Sequence, residues 1–195
     1  MNEIPWSEIR IGYALCGSFC TFEKSFEQMK RLVSLGAKLT PIMSYNAANT
    51  DTRFGTAEHF RTLAEEITGS KLICTIPDAE PIGPKDMFDV LAVAPCTGNT
   101  LAKLAGGIID TPVTMAVKSH IRGSKPVVIA PSTNDGLAGS AKNIGALLNY
   151  KCFYFVPYGQ DDSGKKPRSL MADFNELPET IQYALNGVQY QPLMI

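Results

Sequence analysis

Along the chain, short apolar runs alternate with longer stretches in which apolar side chains recur every three or four positions. An unbroken apolar run suits a strand covered on both faces, whereas a three-to-four spacing gives one apolar stripe along a helix. The first run, Ile9 to Leu15, stops abruptly at Cys16-Gly17-Ser18. Phe22, Phe26, Met29 and Val33 then mark a helix closed by Gly36. A second strand covers Lys38 to Met43, and residues 56–67 form a helix with Phe60, Leu63, Ala64 and Ile67 on one face. After a short apolar run from Leu72 to Ile76, Pro77, Pro81 and Pro84 mark a loop. Val90 to Ala94 and Val127 to Ala130 are wholly apolar strands, and Cys152 to Val156 is a late one. Helices are predicted over 99–105, from the Thr111-Pro112 cap to Gly123, over 142–148 and over 177–185. Residues 158–168, rich in Gly, Asp and Lys, read as an exposed loop. Strands alternating with helices imply parallel pairing through right-handed crossovers, hence a doubly wound α/β sheet.

Composition narrows the function. A chain of 195 residues suits one domain, and 45% hydrophobic against 19% charged side chains permits a proper core. Eighteen basic and 19 acidic residues, with no long block of one sign, give no basic face for nucleic acid. No apolar run approaches the roughly 20 residues of a membrane span, and the N-terminal Met1-Asn2-Glu3-Ile4-Pro5 lacks the order of a signal peptide. A soluble, cytoplasmic protein is expected. Five cysteines without a CxxC pair, and only two histidines, point to reduced thiols and no metal centre.

In doubly wound sheets, ligands bind beyond the carboxyl ends of the strands, where strand order switches. The informative residues are therefore those that follow each strand. Gly17-Ser18-Phe19-Cys20-Thr21 leads into a helix and offers backbone N–H groups to an anion, although the same residues also make an ordinary capped turn. Neither the GxGxxG nor the GxxxxGK[ST] phosphate pattern is present. Two loops, Pro95-Cys96-Thr97-Gly98-Asn99-Thr100 and Pro131-Ser132-Thr133-Asn134-Asp135, are dense in hydroxyl and amide groups, and Ser44-Tyr45-Asn46 follows the second strand. Such neutral donors and acceptors suit a heteroaromatic ring with carbonyl and N–H edges; singly, each loop is also a plain turn. Cys96 is a candidate nucleophile, though buried thiols are commonly inert. His59 falls within a helix, and His120 near a helix C-terminus, where an imidazolium suits the dipole. Lys118 and Arg122, four apart on one helical face, can hold a dicarboxylate or be ordinary surface charge.

The segment APCTGNTLAKLAGGIID at 94–110 resembles the PASANT-containing stretch of the homo-oligomeric flavin-containing cysteine decarboxylase family of flavoproteins. The likeness continues through Thr114-Met115-Ala116 and Ser124-Lys125-Pro126 into APSTNDGL at 130–137, similar to the family's PxMNxxMW motif. Gly17-Ser18 resembles its first phosphate loop, and Met43-Ser44-Tyr45-Asn46-Ala47 its second flavin-edge loop. The resemblance implies a three-layer Rossmann-like flavoprotein fold with a mostly parallel sheet. It also implies one domain over 1–195, with a core at about 8–160 and a C-terminal extension at 161–195. An FMN site follows: Gly17, Ser18 and Phe19 around the phosphate with Ser44 nearby, and Pro95, Cys96, Thr97, Asn99 and Thr100 near the ribityl chain and ring. Met115 and Ala116 would contribute an edge, Asn134 would bind substrate, and a neighbouring subunit of a trimer or dodecamer would complete the site.

Departures from the family pattern sharpen the reading. Family decarboxylases carry a catalytic histidine shortly before the central strand, where this chain has Pro81-Ile82-Gly83-Pro84-Lys85-Asp86. The clamp motif keeps Asn134 but has Thr133 and Leu137 in place of its methionines, and lacks its Trp. Lys142-Asn143-Ile144-Gly145, the run Tyr154 to Asp162, and Lys165-Lys166-Pro167-Arg168-Ser169-Leu170 resemble one branch of the family. That branch implies a subunit of an oxidoreductase that converts dihydrodipicolinate to dipicolinate in the mother-cell cytoplasm of a sporulating bacterium. The resemblance implies a separate A subunit as partner, similar to nicotinamide-binding Rossmann proteins, which would hold NADP. Lys118 or Arg122 would then meet a substrate carboxylate, while no residue is assigned as the catalytic base. The rivals are another enzyme of the family, a decarboxylase or flavin prenyltransferase, and a scaffold subunit whose flavin site has decayed.

Overall fold

A computed structural model describes residues 3–195; Met1 and Asn2, the first residues of the N-terminal stretch without signal-peptide order, lie outside the described residues. Five parallel strands form the centre: β1 (Arg10–Leu15), β2 (Lys38–Met43), β3 (Val90–Cys96), β4 (Val127–Thr133) and β5 (Phe153–Phe155). Their order is 2-1-3-4-5, so the sheet reverses its direction of growth between β1 and β3. Every residue of β3 is buried, as its unbroken apolar run requires.

Helices cover both faces. Helix α1 (Phe22–Ser34) buries Phe22, Phe26, Met29 and Leu32, and the chain leaves it through Gly36 at φ +103°. Helices α1 and α8 (Leu177–Leu185) touch each other. On the other side, α5 (Gly98–Gly106) touches both α6 (Pro112–Ile121) and α7 (Ala141–Leu148). Helix α3 (Ala57–Thr68) lies by β2 at the edge of the sheet. Thr97 caps α5 by accepting from the Thr100 N–H, and α5 ends at Gly107 in the left-handed region. Thr111 and Thr114 form a reciprocal capping box at the start of α6, with Pro112 in the first turn. No described helix is long and apolar enough to cross a membrane.

Three segments differ from their sequence-based expectations. Ser44 caps a short helix, α2 (Tyr45–Asn49). The apolar run at 72–76 makes only a single bridge, Ile73 to Ile42, and the Pro-rich loop contains α4 (Ile76–Ala79) with Pro77 in its first turn, where a missing N–H costs nothing. Residues 158–168 are not an irregular loop. They belong to a hairpin of β6 (Tyr158–Asp162) and β7 (Lys166–Ala172). Asp162 Oδ1 accepts from the N–H groups of Gly164 and Lys165 at 3.2 and 2.9 Å and so makes the turn. Strand β7 pairs antiparallel with the far end of β4, Ser132 opposite Met171 and Thr133 opposite Leu170.

The core is polar at one point that matters for the ligand edge. The wholly buried Tyr13 donates its hydroxyl to the Ser25 carbonyl at 2.9 Å, and Ser25 Oγ donates to the Ala94 carbonyl at 2.6 Å. These bonds fix α1 against β1 and β3 just before Pro95. His120 is also buried, with Nε2 3.0 Å from the Pro126 carbonyl, so Nε2 must carry the proton it donates. Burial pushes its pKa down to about 4, against the smaller raising effect of that bond. A neutral imidazole therefore replaces the imidazolium that its place near a helix end suggested. Between about 6.5 and about 4 the unfolded chain binds a proton that the folded chain refuses, so stability falls as pH drops through that window. The full effect is on the order of 3 kcal/mol. Chemical denaturation from pH 7.5 to 4.5 should show the slope, and His120→Gln should flatten it.

Candidate functional site

Four turns meet at the carboxyl edge of the sheet, around the switch between β1 and β3. A hydroxyl network joins those after β1, β3 and β4, and the Ser44 N–H ties the turn after β2 to the Leu15 carbonyl at 3.0 Å. Ser18 Oγ lies 2.8 Å from Ser132 Oγ, and Thr21 Oγ1 donates to the Ser18 carbonyl at 2.8 Å. Thr100 Oγ1 donates to Cys16 Sγ at 3.2 Å and lies 3.2 Å from Thr97 Oγ1. The Cys16 N–H bonds the Pro95 carbonyl at 3.2 Å and closes the gap between the first and third turns. Gly98 is where α5 meets the loop after β4. A Cβ there would lie 2.6 Å from Thr133 Oγ1, 2.7 Å from Ser140 Oγ and 2.8 Å from Asp135 Oδ1. Thr133 and Ser140 both donate to Asp135, at 2.6 and 2.7 Å, and hold its carboxyl below the usual range.

Two adjoining clefts open at this edge and share Gly17 and Thr97. The first, of about 600 Å³, is lined by neutral groups, Ser44, Asn46, Asn99 and Thr100 among them. Its one cation, Lys103, is paired with Asp110 at 2.7 Å. The second, of about 380 Å³, sets Ser18, Phe19, Phe54 and Ser132 against Asn134, Lys166 and Leu170. Among the described residues, the N–H groups of Gly17 and Phe19 have no internal acceptor, so the turn after β1 can meet an anion. The first cleft thus suits a polar, uncharged ring system, the turn after β1 at its border an anionic group, and the second cleft a flat ligand that carries negative charge.

The structure brings together Gly17, Ser18, Phe19, Ser44, Thr97, Asn99, Thr100 and Asn134 as cleft lining. Pro95 and Cys96 are buried beneath it. Met115 is half-buried against the core and Ala116 is sealed within it; neither lines the two clefts. Lys118 and Arg122 are the clearest displacement. Helix α6 starts at the first cleft with Thr111 and runs away from it, so these cations lie roughly 10 and 16 Å further along its axis. Lys118 lines a separate apolar groove of about 150 Å³ with Leu104 and Ile108, and Arg122 is exposed at the helix end. The cations that do reach the second cleft and its rim are Arg53, whose guanidinium sits 4.9 Å over the Phe54 ring, and Lys166 and Arg168 of β7. Arg53 stands in an aperiodic link before α3, and the β7 pair in a polar hairpin. Neither place gives a periodic signal.

Cys96 has no activating partner. Burial pushes the Cys16 thiol up to about 11, and burial followed by the neighbouring Cys16 raises Cys96 well above the usual thiol value. Cys20 is exposed at the mouth of the second cleft. Iodoacetamide at pH 8 should therefore label Cys20 in the native protein and spare Cys16 and Cys96. Peptide mass spectrometry reads this, and early labelling of Cys96 would contradict the assignment of an inert thiol.

A parallel sheet ordered 2-1-3-4-5, with its ligand loops at the β1/β3 switch, is the flavodoxin-like form of the doubly wound fold. The Flavoprotein family model matches residues 3–184, and the chain belongs to that family. It is 44% identical over 186 residues to the dipicolinate synthase B subunit of Bacillus subtilis (strain 168), covering 95% of this chain and 93% of the relative. The crystal structure of the dipicolinate synthase B subunit from Bacillus halodurans superposes with a TM-score of 0.90 at 42% identity, covering 98% of each chain. The FMN-dependent cysteine decarboxylase SpaF shares the fold, with a TM-score of 0.67 at 22% identity over 93% of this chain and 97% of SpaF.

Proposed function

We propose that this chain is the flavin-holding subunit of a dipicolinate-forming oxidoreductase. It acts with the dipicolinate synthase A subunit in oxidising dihydrodipicolinate, in the mother-cell cytoplasm during sporulation. Near-complete coverage by the Bacillus subtilis relative carries this reading. The pair of adjoining clefts supports it, because a cofactor and a substrate need separate but touching places.

The first cleft, together with the turn after β1 that it shares with the second, fits FMN. Gly17 and Phe19 leave N–H groups free for a phosphate, with Ser18 and Ser44 beside them. Thr97, Asn99 and Thr100 offer hydroxyl and amide groups to a ribityl chain and ring, over a floor of Pro95 and Cys96. When bound, FMN supplies a hydride acceptor next to the second cleft, while NADP belongs to the A subunit. The chain's own part is to bind, orient and shield. Asn134 faces the substrate, and Phe19 and Phe54 give an apolar wall to a flat ring. A second copy, in a trimer or dodecamer, closes the open side of the first cleft, and Met115 is the member of its pair exposed enough to take part. The stretch Pro81 to Asp86, without histidine, argues against cysteine decarboxylation. A cysteine-terminated peptide incubated with the FMN-loaded protein should be recovered unchanged by mass.

Titration of the purified chain with FMN should quench flavin fluorescence and saturate near one FMN per chain, with no saturable response to NADP. Gly17→Val, which fills the wall shared by the two clefts, should weaken FMN at least tenfold, about 1.4 kcal/mol. A folded protein that binds no FMN, yet supports full pyridine formation with the A subunit in flavin-free buffer, would make the chain a scaffold instead.

A further inference from the structure

We propose that Arg53 and Arg168 form a two-point clamp that grips the two carboxylates of a small planar dicarboxylate in the second cleft and its rim. The proposal rests on the functional reading above and identifies the residues that would select that substrate class. Among the described residues, Lys103, Arg53, Lys166 and Arg168 are the cations that line the paired clefts and their rim, and two are already neutralised. Lys103 is bound to Asp110 at 2.7 Å, and Lys166 to Asp161 at 2.6 Å. Arg53 and Arg168 have no carboxylate partner among the described residues.

Arg53 is backed at its guanidinium, whereas Arg168 is placed by its backbone and extends an exposed side chain. Arg53 lies over the Phe54 ring, which leaves its planar donors to face an acceptor. Arg168 is carried by β7, which is zipped to the loop that bears Asn134. The Leu137 N–H donates to the Arg168 carbonyl at 3.0 Å, Ser169 Oγ donates to the Thr133 carbonyl at 3.3 Å, and Thr133 stands opposite Leu170 in the antiparallel ladder. Asn134, Lys166, Pro167 and Arg168 line a shallow, open depression of about 390 Å³ that continues the second cleft through Asn134 and Lys166. Asp135, the nearest carboxylate on that loop, is occupied by Thr133 and Ser140 and does not compete for Arg168. An arginine fork binds a carboxylate through two parallel hydrogen bonds, so two unpaired arginines on different elements match a ligand with two carboxylates.

The test is equilibrium binding of pyridine-2,6-dicarboxylate and of its monocarboxylate, picolinate, to the purified full-length chain, with and without FMN, in metal-free buffer. The wild type should prefer the dicarboxylate at least tenfold. Arg53→Ala and Arg168→Ala should each weaken the dicarboxylate about tenfold or more, down to the affinity of picolinate, and shift picolinate less than threefold. Lys118→Ala and Arg122→Ala should change neither ligand. A preference that survives either arginine substitution in a protein with unchanged thermal unfolding overturns the clamp, as does an absence of dicarboxylate binding to the wild type. Failure of the flavin reading is distinguishable. If FMN does not bind but the dicarboxylate preference is present and collapses on arginine removal, the clamp stands without the flavin.

Discussion

The buried hydrogen-bond chain from Tyr13 to Ser25 and on to the Ala94 carbonyl fixes the relation between α1, β1 and β3. Everything at the ligand edge depends on that relation, because the turn after β1 and the turn after β3 are the shared wall of both clefts. A buried hydroxyl left unpaired would cost a substantial fraction of a domain's net stability. These two side chains therefore specify one docking of helix on sheet and exclude its neighbours. The Cys16 N–H to Pro95 carbonyl bond and the Thr100 hydroxyl on the Cys16 sulfur extend the same constraint outward, until the polar loops themselves are held.

Around this frame the electrostatics are local. A chain with a formal charge of −1 has no field to gather an anion from a distance. Its selectivity must come from where individual charges are left unpaired. The first cleft has its one cation matched by Asp110, whereas the rim of the second carries Arg53 and Arg168 unmatched. That contrast sets a cleft whose charge is balanced beside one whose rim carries unpaired cations, within one edge of one sheet. The glycine at 98 lets the two be neighbours, since a side chain there would drive α5 away from Thr133, Asp135 and Ser140.

The central strands and their helices were legible because burial writes itself into sequence as periodicity. Val90 to Ala94 and Val127 to Ala130 have no polar residue to spare, and the Thr111-Pro112 and Thr97 caps announce α6 and α5. The loops at Gly17, Ser44, Thr97 and Asn134 were legible by a different logic: they follow strands, and strands of a parallel sheet end at one edge. The β6–β7 hairpin was not legible. Only Tyr158, Leu170 and Ala172 of its strands join the apolar core, so its polar positions read as an exposed loop. His120 misled in the opposite way, since a position near a helix end says nothing of burial.

The sequence by itself determined the layer architecture, the family, and which turns carry the hydroxyl and amide groups, because these follow from local pattern and chain order. Only the tertiary structure decided which charges reach the clefts. Lys118 and Arg122 share a helical face, as their spacing requires, but the direction in which α6 leaves the sheet edge carries them away from the clefts. Arg53 and Arg168, separated by more than a hundred residues and set in segments without periodicity, reach the second cleft and its rim because the link between α2 and α3 passes there and because β7 pairs with the end of β4. Helical spacing is a property of a few consecutive residues. The place of a helix or hairpin relative to a cleft is a property of the whole packed chain.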